Sequence, residues 1–344
     1  MLALVKTKQG PGNMELRDVP EPTISADEVL IEVGAAGICG TDIHVRHDTF
    51  PYWPPVIMGH EFAGTIVQAG SAVTDWRIGD RVVGEPHTLH CGKCFLCRRG
   101  HVQNCAEKRS PGWGIDGAFT RLIKYPTQLL HRIPDDMSFA QAALVEPAAN
   151  TVTDVIERGA IQAGDFVVLL GPGPVGLMAA QAVRTAGARE VLIVGAPPDA
   201  GLRLDTARQL GFEQIVNIGD TDPVERCLEL TGGIGADLVI ECSGAPAAIA
   251  QTFQLVRKWG TICAIGLTGR KPVQIDWDAA MARNATLYLN VSTEYSSWDK
   301  TIWMVHQGHI DVRPLITHQL PLAEWERGFE ALERMEALKV VLEP

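Results

Sequence analysis

At 344 residues the chain exceeds one typical domain, and its 46% hydrophobic and 21% charged residues supply apolar material for two cores. A net charge of −11 argues against a nucleic-acid partner, because phosphate binding needs a cationic face. The opening MLALVKTKQG lacks the apolar stretch of a signal peptide, and no apolar run of about 18 residues predicts a membrane span, so a cytoplasmic location with reduced cysteines is expected.

The first 147 residues read as short strands and turns. Residues 29–33 form an apolar strand ending at Gly34, and 64–68 and 81–83 read as further strands, broken by Gly70 and by Gly79-Asp80. Regular turns without long helical periods predict a β-barrel-like domain. Inside it, Cys91, Cys94, Cys97 and Cys105 follow the spacing C-x2-C-x2-C-x7-C in a lobe over residues 88–108. Four thiolates suit tetrahedral zinc and leave no open coordination position, so this site reads as structural; an iron–sulfur cluster is the alternative for such spacing.

The pattern changes near Pro147. Residues 165–170 are a continuous apolar strand, and 174–186 read as a helix with proline near its start, where a missing N–H costs little. Strand-like runs at 191–194, 215–218, 238–241 and 261–265 then alternate with helix-like runs at 202–210, 223–231 and 246–257, with a sixth strand at 286–291. Alternation of this kind predicts a parallel doubly wound sheet, hence an α/β fold overall. Amphipathic helices around 298–306 and 322–335 and a short strand at 339–342 close the chain.

Between the strand at 165–170 and its helix lies Gly171-Pro172-Gly173-Pro174-Val175-Gly176, the G-x-G-x-x-G spacing in the context that a dinucleotide loop requires. Gly171 permits the tight turn, Gly173 lets backbone approach a pyrophosphate, and Gly176 lets helix and strand pack closely; the helix N-terminus, opened by Pro174 and Val175, offers free N–H groups to phosphate. The next strand ends in Gly195-Ala196-Pro197-Pro198 where NAD readers usually carry an acid. Arg203 is placed to reach a 2′-phosphate, and Asp199 to fold back as a displaced acid, so NAD and NADP both stay open.

Three separated segments carry metal-ligand types: Gly37-Ile38-Cys39-Gly40-Thr41-Asp42-Ile43-His44, Gly59-His60-Glu61 and Val145-Glu146-Pro147. A thiolate, an imidazole and a carboxylate make a mixed zinc shell with room for water or substrate. Each residue alone has an ordinary structural reading; the set, together with the glycine loop and the cysteine lobe, does not.

With GICGTDIH, PVIMGHEFAG, GDRV, the cysteine lobe, VEPAAN, GPGPVG and KVVLEP in place, the chain resembles the zinc-containing medium-chain dehydrogenase/reductases of the alcohol dehydrogenase superfamily, in its sorbitol (L-iditol) and threonine dehydrogenase branch. The resemblance implies a GroES-like β-barrel catalytic domain over 1–147 and 287–344, and a Rossmann NAD(P)-binding domain over 148–286, with the chemistry in the cleft between them. It implies that Cys39 and His60 ligate a catalytic zinc with Glu61 or Glu146 as the carboxylate, that Asp42 orients the zinc histidine, and that Thr41 and His44 relay the alcohol proton. Glu146 stands where simple alcohol dehydrogenases place a cysteine, which favours the polyol or threonine branch. Gly195, Arg203, Ser243, Ile265 and Gly266 join the glycine loop as cofactor-binding positions.

The activity so implied is hydride transfer from a secondary alcohol of a polyol or sugar alcohol to NAD(P)+, giving a ketone; L-threonine and butanediol oxidation are the alternatives within that class, and a non-catalytic relative of the same fold is the alternative outside it. The implied partners are a small-molecule alcohol and copies of the same chain, as a homotetramer or homodimer, with no nucleic acid and no membrane. Phe50, Tyr52, Trp53, Glu294 and Tyr295 are weaker candidates for the substrate pocket, with core packing an equal reading.

Overall fold

The computed structural model describes residues 1–159, 161–269 and 272–344. Contacts divide the chain into two compact units, one of Met1–Pro147, Thr293–His306 and Ile316–Pro344, the other of Ala148–Ser292 and Gln307–Leu315.

The first unit opens with strands β1 (Leu2–Lys6) and β2 (Met14–Asp18), followed by β3 (Glu28–Gly37), helix α1 (Gly40–Arg46), β4 (Val56–Ile57), β5 (Glu61–Ala69), β6 (Arg81–Gly84), β7 (Leu122–Pro126), β8 (Leu130–Arg132) and the short helices α2 (Phe139–Ala143) and α3 (Val145–Thr151). β3 pairs antiparallel with β5 along most of its length, from Val29 opposite Ala69 to Gly37 opposite Glu61, and with β7 on its other flank. β-branched and aromatic residues on these strands (Val29, Ile31, Phe62, Ile66, Val82, Tyr125) fill one buried core, each burial contributing about 1.5–3 kcal/mol. That register has a functional consequence: the end of β3 meets the start of β5, so Cys39, two residues past β3, lies beside His60 and Glu61.

In the second unit β9 (Phe166–Leu170), α4 (Pro174–Thr185), β10 (Glu190–Gly195), α5 (Leu202–Gln209), β11 (Ile215–Asn217), α6 (Pro223–Leu230), β12 (Ala236–Glu241), α7 (Pro246–Leu255), β13 (Val256–Ala264), α8 (Trp277–Met281) and β14 (Thr286–Leu289) alternate. The strands run parallel in the order β11-β10-β9-β12-β13-β14, the doubly wound dinucleotide-binding order, with β9 wholly buried. The helix read over 246–257 stops at Leu255, because Val256 turns extended and pairs with Ala236. Residues 287–289, read with the first domain, pair with β13 in this sheet.

The chain then returns to the first unit through α9 (Tyr295–His306), β15 (Ile316–Pro321), α10 (Trp325–Glu333) and β16 (Lys339–Glu343). β16 pairs antiparallel with the end of β3 and parallel with β15, so the larger sheet runs β15-β16-β3-β5-β6-β8. No sequence signal marked β15: its ITHQLP mixes polar and apolar residues, and only Leu320 is buried.

Candidate active site

The thiol of Cys39, the imidazole of His60 and the carboxylate of Glu61 come within 4.8 Å of one another in the first unit, and His60 and Glu61 are buried. Cys39 is the N-cap of α1, and its backbone N–H donates to Oδ2 of Asp42 at 2.9 Å, fixing the turn that presents the sulfur. The other Asp42 oxygen faces Nδ1 of His60 at 3.8 Å, and both atoms are buried without a hydrogen-bond partner. A metal on the opposite ring nitrogen would give this aspartate the role of orienting carboxylate. At Gly37 any Cβ would collide with the Glu61 carboxylate, so the glycine of the GICG motif makes space for it.

The charge pattern suits a bound cation. Burial lowers the pKa of His60, but the Cys39 sulfur, Asp42 and Glu146 outweigh it and push the imidazole up to about 10. Burial raises Asp42 despite His60. A metal binding here displaces that proton and takes over its work of neutralising the surrounding donors. Soft sulfur, imidazole and carboxylate together match zinc with a position left for another ligand. Glu146, on α3, is buried and lies outside the tight donor group, while its charge acts on His60.

Lys339, the first residue of β16, is a participant that the sequence reading missed. Its ammonium donates to both Glu61 oxygens, at 2.6 Å to Oε1, and to the carbonyl of Ile38 at 2.9 Å, with all three residues buried. Burial works against the charge, yet Glu61 and Cys39 raise the pKa of Lys339. A signal was available: a cation heads the strand KVVLE, directly ahead of three apolar residues.

Thr41 and His44 lie on α1, three residues apart and both half-exposed, so they share a helix face. Nδ1 of His44 bonds the Thr49 hydroxyl at 2.9 Å, and burial with His47 nearby lowers its pKa, leaving a neutral imidazole at pH 7. Of the weaker pocket candidates, Tyr52 is in the core with its hydroxyl on Asp48, Phe50 packs edge-on against Trp113, and Trp53 lies under the Arg109 guanidinium. Glu294 accepts from Gln103, and Tyr295 lies against the His131 ring.

The cysteine lobe brings Cys91, Cys94, Cys97 and Cys105 together, with sulfur–sulfur distances of 3.6, 3.9 and 4.0 Å. Four sulfurs at a zinc–sulfur distance of about 2.3 Å on a tetrahedron stand about 3.8 Å apart. Backbone N–H groups of Cys94 and Cys97 point at the sulfurs of Cys91 and Cys94, as thiolate ligands require.

In the second unit Gly171 closes β9 with φ of +94°, and a Cβ at Gly176 would strike the Gly171 carbonyl. At Gly173, the N-cap of α4, a Cβ would meet no protein atom within 4 Å. Its lack of a side chain therefore serves no internal packing and leaves the helix N-terminus, with Pro174 and Val175 in its first turn, open to a pyrophosphate. Beside this loop is a recess of about 540 Å³ whose wall includes Gly171, Gly195, Asp199 and Ser243. Arg203, Ile265 and Gly266 are not on its wall; Gly266 packs against the Gly244 backbone and the Glu241 carboxylate.

The alcohol dehydrogenase GroES-like domain family matches residues 25–135, and the zinc-binding dehydrogenase family matches residues 174–307. Sorbitol dehydrogenase of Halalkalibacterium halodurans is 35% identical over 344 residues, covering 100% of this chain and 99% of that protein. L-threonine 3-dehydrogenase of Bacillus licheniformis is 35% identical, with 100% and 99% coverage. Among solved structures, a zinc-binding dehydrogenase of Sinorhizobium meliloti 1021 bound to NADP superposes with a TM-score of 0.92 at 30% identity, covering 100% of this chain and 99% of that one. With donor group, cysteine lobe, glycine loop and full-length relatives in agreement, the chain belongs to the zinc-containing, NAD(P)-dependent alcohol dehydrogenase family.

Proposed function

We propose that this chain oxidises a secondary hydroxyl of a polyol or sugar alcohol to a ketone, passing hydride to NAD(P)+. The observation that carries the reading is the Cys39–His60–Glu61 donor group with the Glu146 charge acting on it, a carboxylate-rich set rather than a second thiolate. Relatives named for sorbitol and for L-threonine are about equally similar, so L-threonine and small diols are the second reading.

Cys39, His60 and a glutamate would hold a zinc, which when bound would supply a Lewis acid that makes an alcohol hydroxyl acidic near neutral pH, and a bound nicotinamide would supply the hydride acceptor. The protein's own groups do the rest. Asp42, with a carboxylate oxygen 3.8 Å from Nδ1 of His60, would orient the ring once its other nitrogen ligates the metal. Thr41 would accept the hydroxyl proton, and His44, on the same face of α1 and with its pKa lowered by burial, would take a proton from that relay and release it to water. The backbone N–H groups at the start of α4 hold the pyrophosphate. The four sulfurs of the lobe would hold a second zinc, which would organise residues 91–105 and, with its coordination filled, take no part in the chemistry.

Self-association is part of the reading. β14 is an edge strand whose outer side chains are apolar: Leu287, Leu289 and, just beyond it, Val291 are 47%, 71% and 61% exposed. Such an edge suits pairing with a second copy, as a homodimer or within a homotetramer. Among the described residues no helix is long and apolar enough to cross a membrane, and a reducing compartment such as the cytoplasm suits the clustered thiols.

The test combines a substrate panel with metal analysis. Polyols, L-threonine and diols, each with NAD+ and NADP+, should single out a polyol; a preference for L-threonine would transfer the reading to the second candidate. The purified protein should carry about two zinc ions per chain. Cys39→Ser should lose turnover, one zinc and no dinucleotide affinity, and Cys94→Ser should lose one zinc and thermal stability first. Full turnover in Cys39→Ser would remove the catalytic assignment.

A further inference from the structure

The end of β10 is where dinucleotide folds discriminate between a ribose hydroxyl and a 2′-phosphate. Here the closing residue is Gly195, and a side chain there would have to displace its neighbours: a Cβ would sit 2.8 Å from Cδ2 of Leu204 and 3.1 Å from both Cγ of Pro172 and Cβ of Asp199. The seat of a side chain at 195 is already filled, and one of the atoms filling it belongs to an acid. Pro197 and Pro198 set the short 3₁₀ turn that brings Asp199 back. Oδ2 of Asp199 accepts from the Ala196 N–H at 2.8 Å, and Oδ1 accepts from Nη1 of Arg203 at 2.8 Å.

We propose that Asp199 reads the adenosine ribose of the cofactor and makes this chain selective for NAD over NADP. The proposal rests on the reading of the second unit as the dinucleotide-binding one. Asp199 is buried yet forms part of the recess wall beside the glycine loop, and each carboxylate oxygen keeps a lone pair beyond the bond it already makes. Two further acids, Asp220 and Asp222, line the same recess, and among its described wall residues there is no lysine or arginine. A dianionic 2′-phosphate would face three carboxylates there, whereas a ribose hydroxyl would find an acceptor. Arg203 works from behind. It is not on the recess wall, and its guanidinium is committed to Asp199, with a buried Nε that makes no hydrogen bond. It buttresses the acid and holds it in place, the opposite of a phosphate clamp. This chain would then differ from the Sinorhizobium meliloti neighbour, which was solved with NADP.

Direct titration of NADH and NADPH, read by nicotinamide fluorescence without any alcohol present, tests this. The parent protein should bind NADH on the order of 100-fold more tightly than NADPH. Asp199→Asn keeps an acceptor for the Ala196 N–H and removes the charge, so NADPH should gain about ten-fold and the ratio should shrink. Asp199→Ala should lose NADH affinity by about ten-fold or more. Arg203→Met should weaken NADH and leave NADPH no weaker. Circular dichroism melts confirm that each variant is folded. Equal or tighter NADPH binding by the parent, or an Arg203→Met defect confined to NADPH, would overturn the assignment. Binding of neither dinucleotide would overturn the dinucleotide reading itself and the assignment with it, a failure distinct from the wrong preference.

Discussion

Lys339 and Glu61 form an ion pair out of reach of water, and its worth lies in being complete. Removing one member of such a pair leaves a buried charge and costs about 3–5 kcal/mol, whereas removing both costs far less. In metal-free protein Lys339→Met should therefore lower the unfolding free energy by about 3 kcal/mol or more, and the double variant with Glu61→Gln should recover most of it; urea denaturation after chelation measures both. Asp154 is the reverse case. It lies in the π-helical stretch Val152–Glu157, is 2% exposed, and has an oxygen with no partner. Burial raises its pKa to about 8, with Arg158 opposing only in part. The folded state thus holds the proton more tightly than the unfolded one, so stability is highest below the unfolded value near 3.8 and falls as pH rises towards 8. Asp154→Asn should be more stable than the parent at pH 8 by on the order of 1–3 kcal/mol and equal to it near pH 4, as thermal melts across that range would register.

At the scale of elements, α9 is anchored to the first unit by histidine. Nδ1 of His131, on β8, meets Oδ1 of Asp299 at 2.8 Å, Nε2 meets Oε1 of Glu85 at 3.1 Å, and the ring stacks on Trp298 at 5.3 Å. Burial disfavours the charged ring, but Glu85 and Asp299 prevail and raise its pKa. The resulting stabilisation is complete below the unfolded value near 6.5 and fades as pH climbs through the raised folded value. His131→Gln should lower Tm most near pH 6, by roughly 2–4 °C, with the gap to the parent closing towards pH 9. None of this was visible in the sequence, because His131, Glu85 and Asp299 are brought together by pairing across β6 and β8 and by a helix 168 residues away. What the sequence did display was local. The apolar strand before Gly171 and the helix opened by Pro174 announced the parallel sheet, and the cysteine spacing announced the lobe. The donor group was readable only because three motifs were recognised together; its cation, Lys339, left only the trace of a lysine before an apolar run, and the half-polar strand β15 left no local pattern.

For the molecule as a whole, the proposed self-association places the exposed edge of the parallel sheet, β14, at the contact between copies. Leu289→Lys places a charge on the most exposed of its apolar positions and should shift the protein towards monomer in sedimentation velocity, with secondary structure unchanged. The order in which the chain is threaded has another effect. Glu61 and its cation are separated by 278 residues, and the strand that carries Lys339 closes against β3 only after every strand of the parallel sheet has been made. During synthesis on the ribosome the second unit's parallel sheet can therefore be folded while Glu61 still lacks its counter-charge, so translation completes the buried ion pair beside the proposed metal seat last.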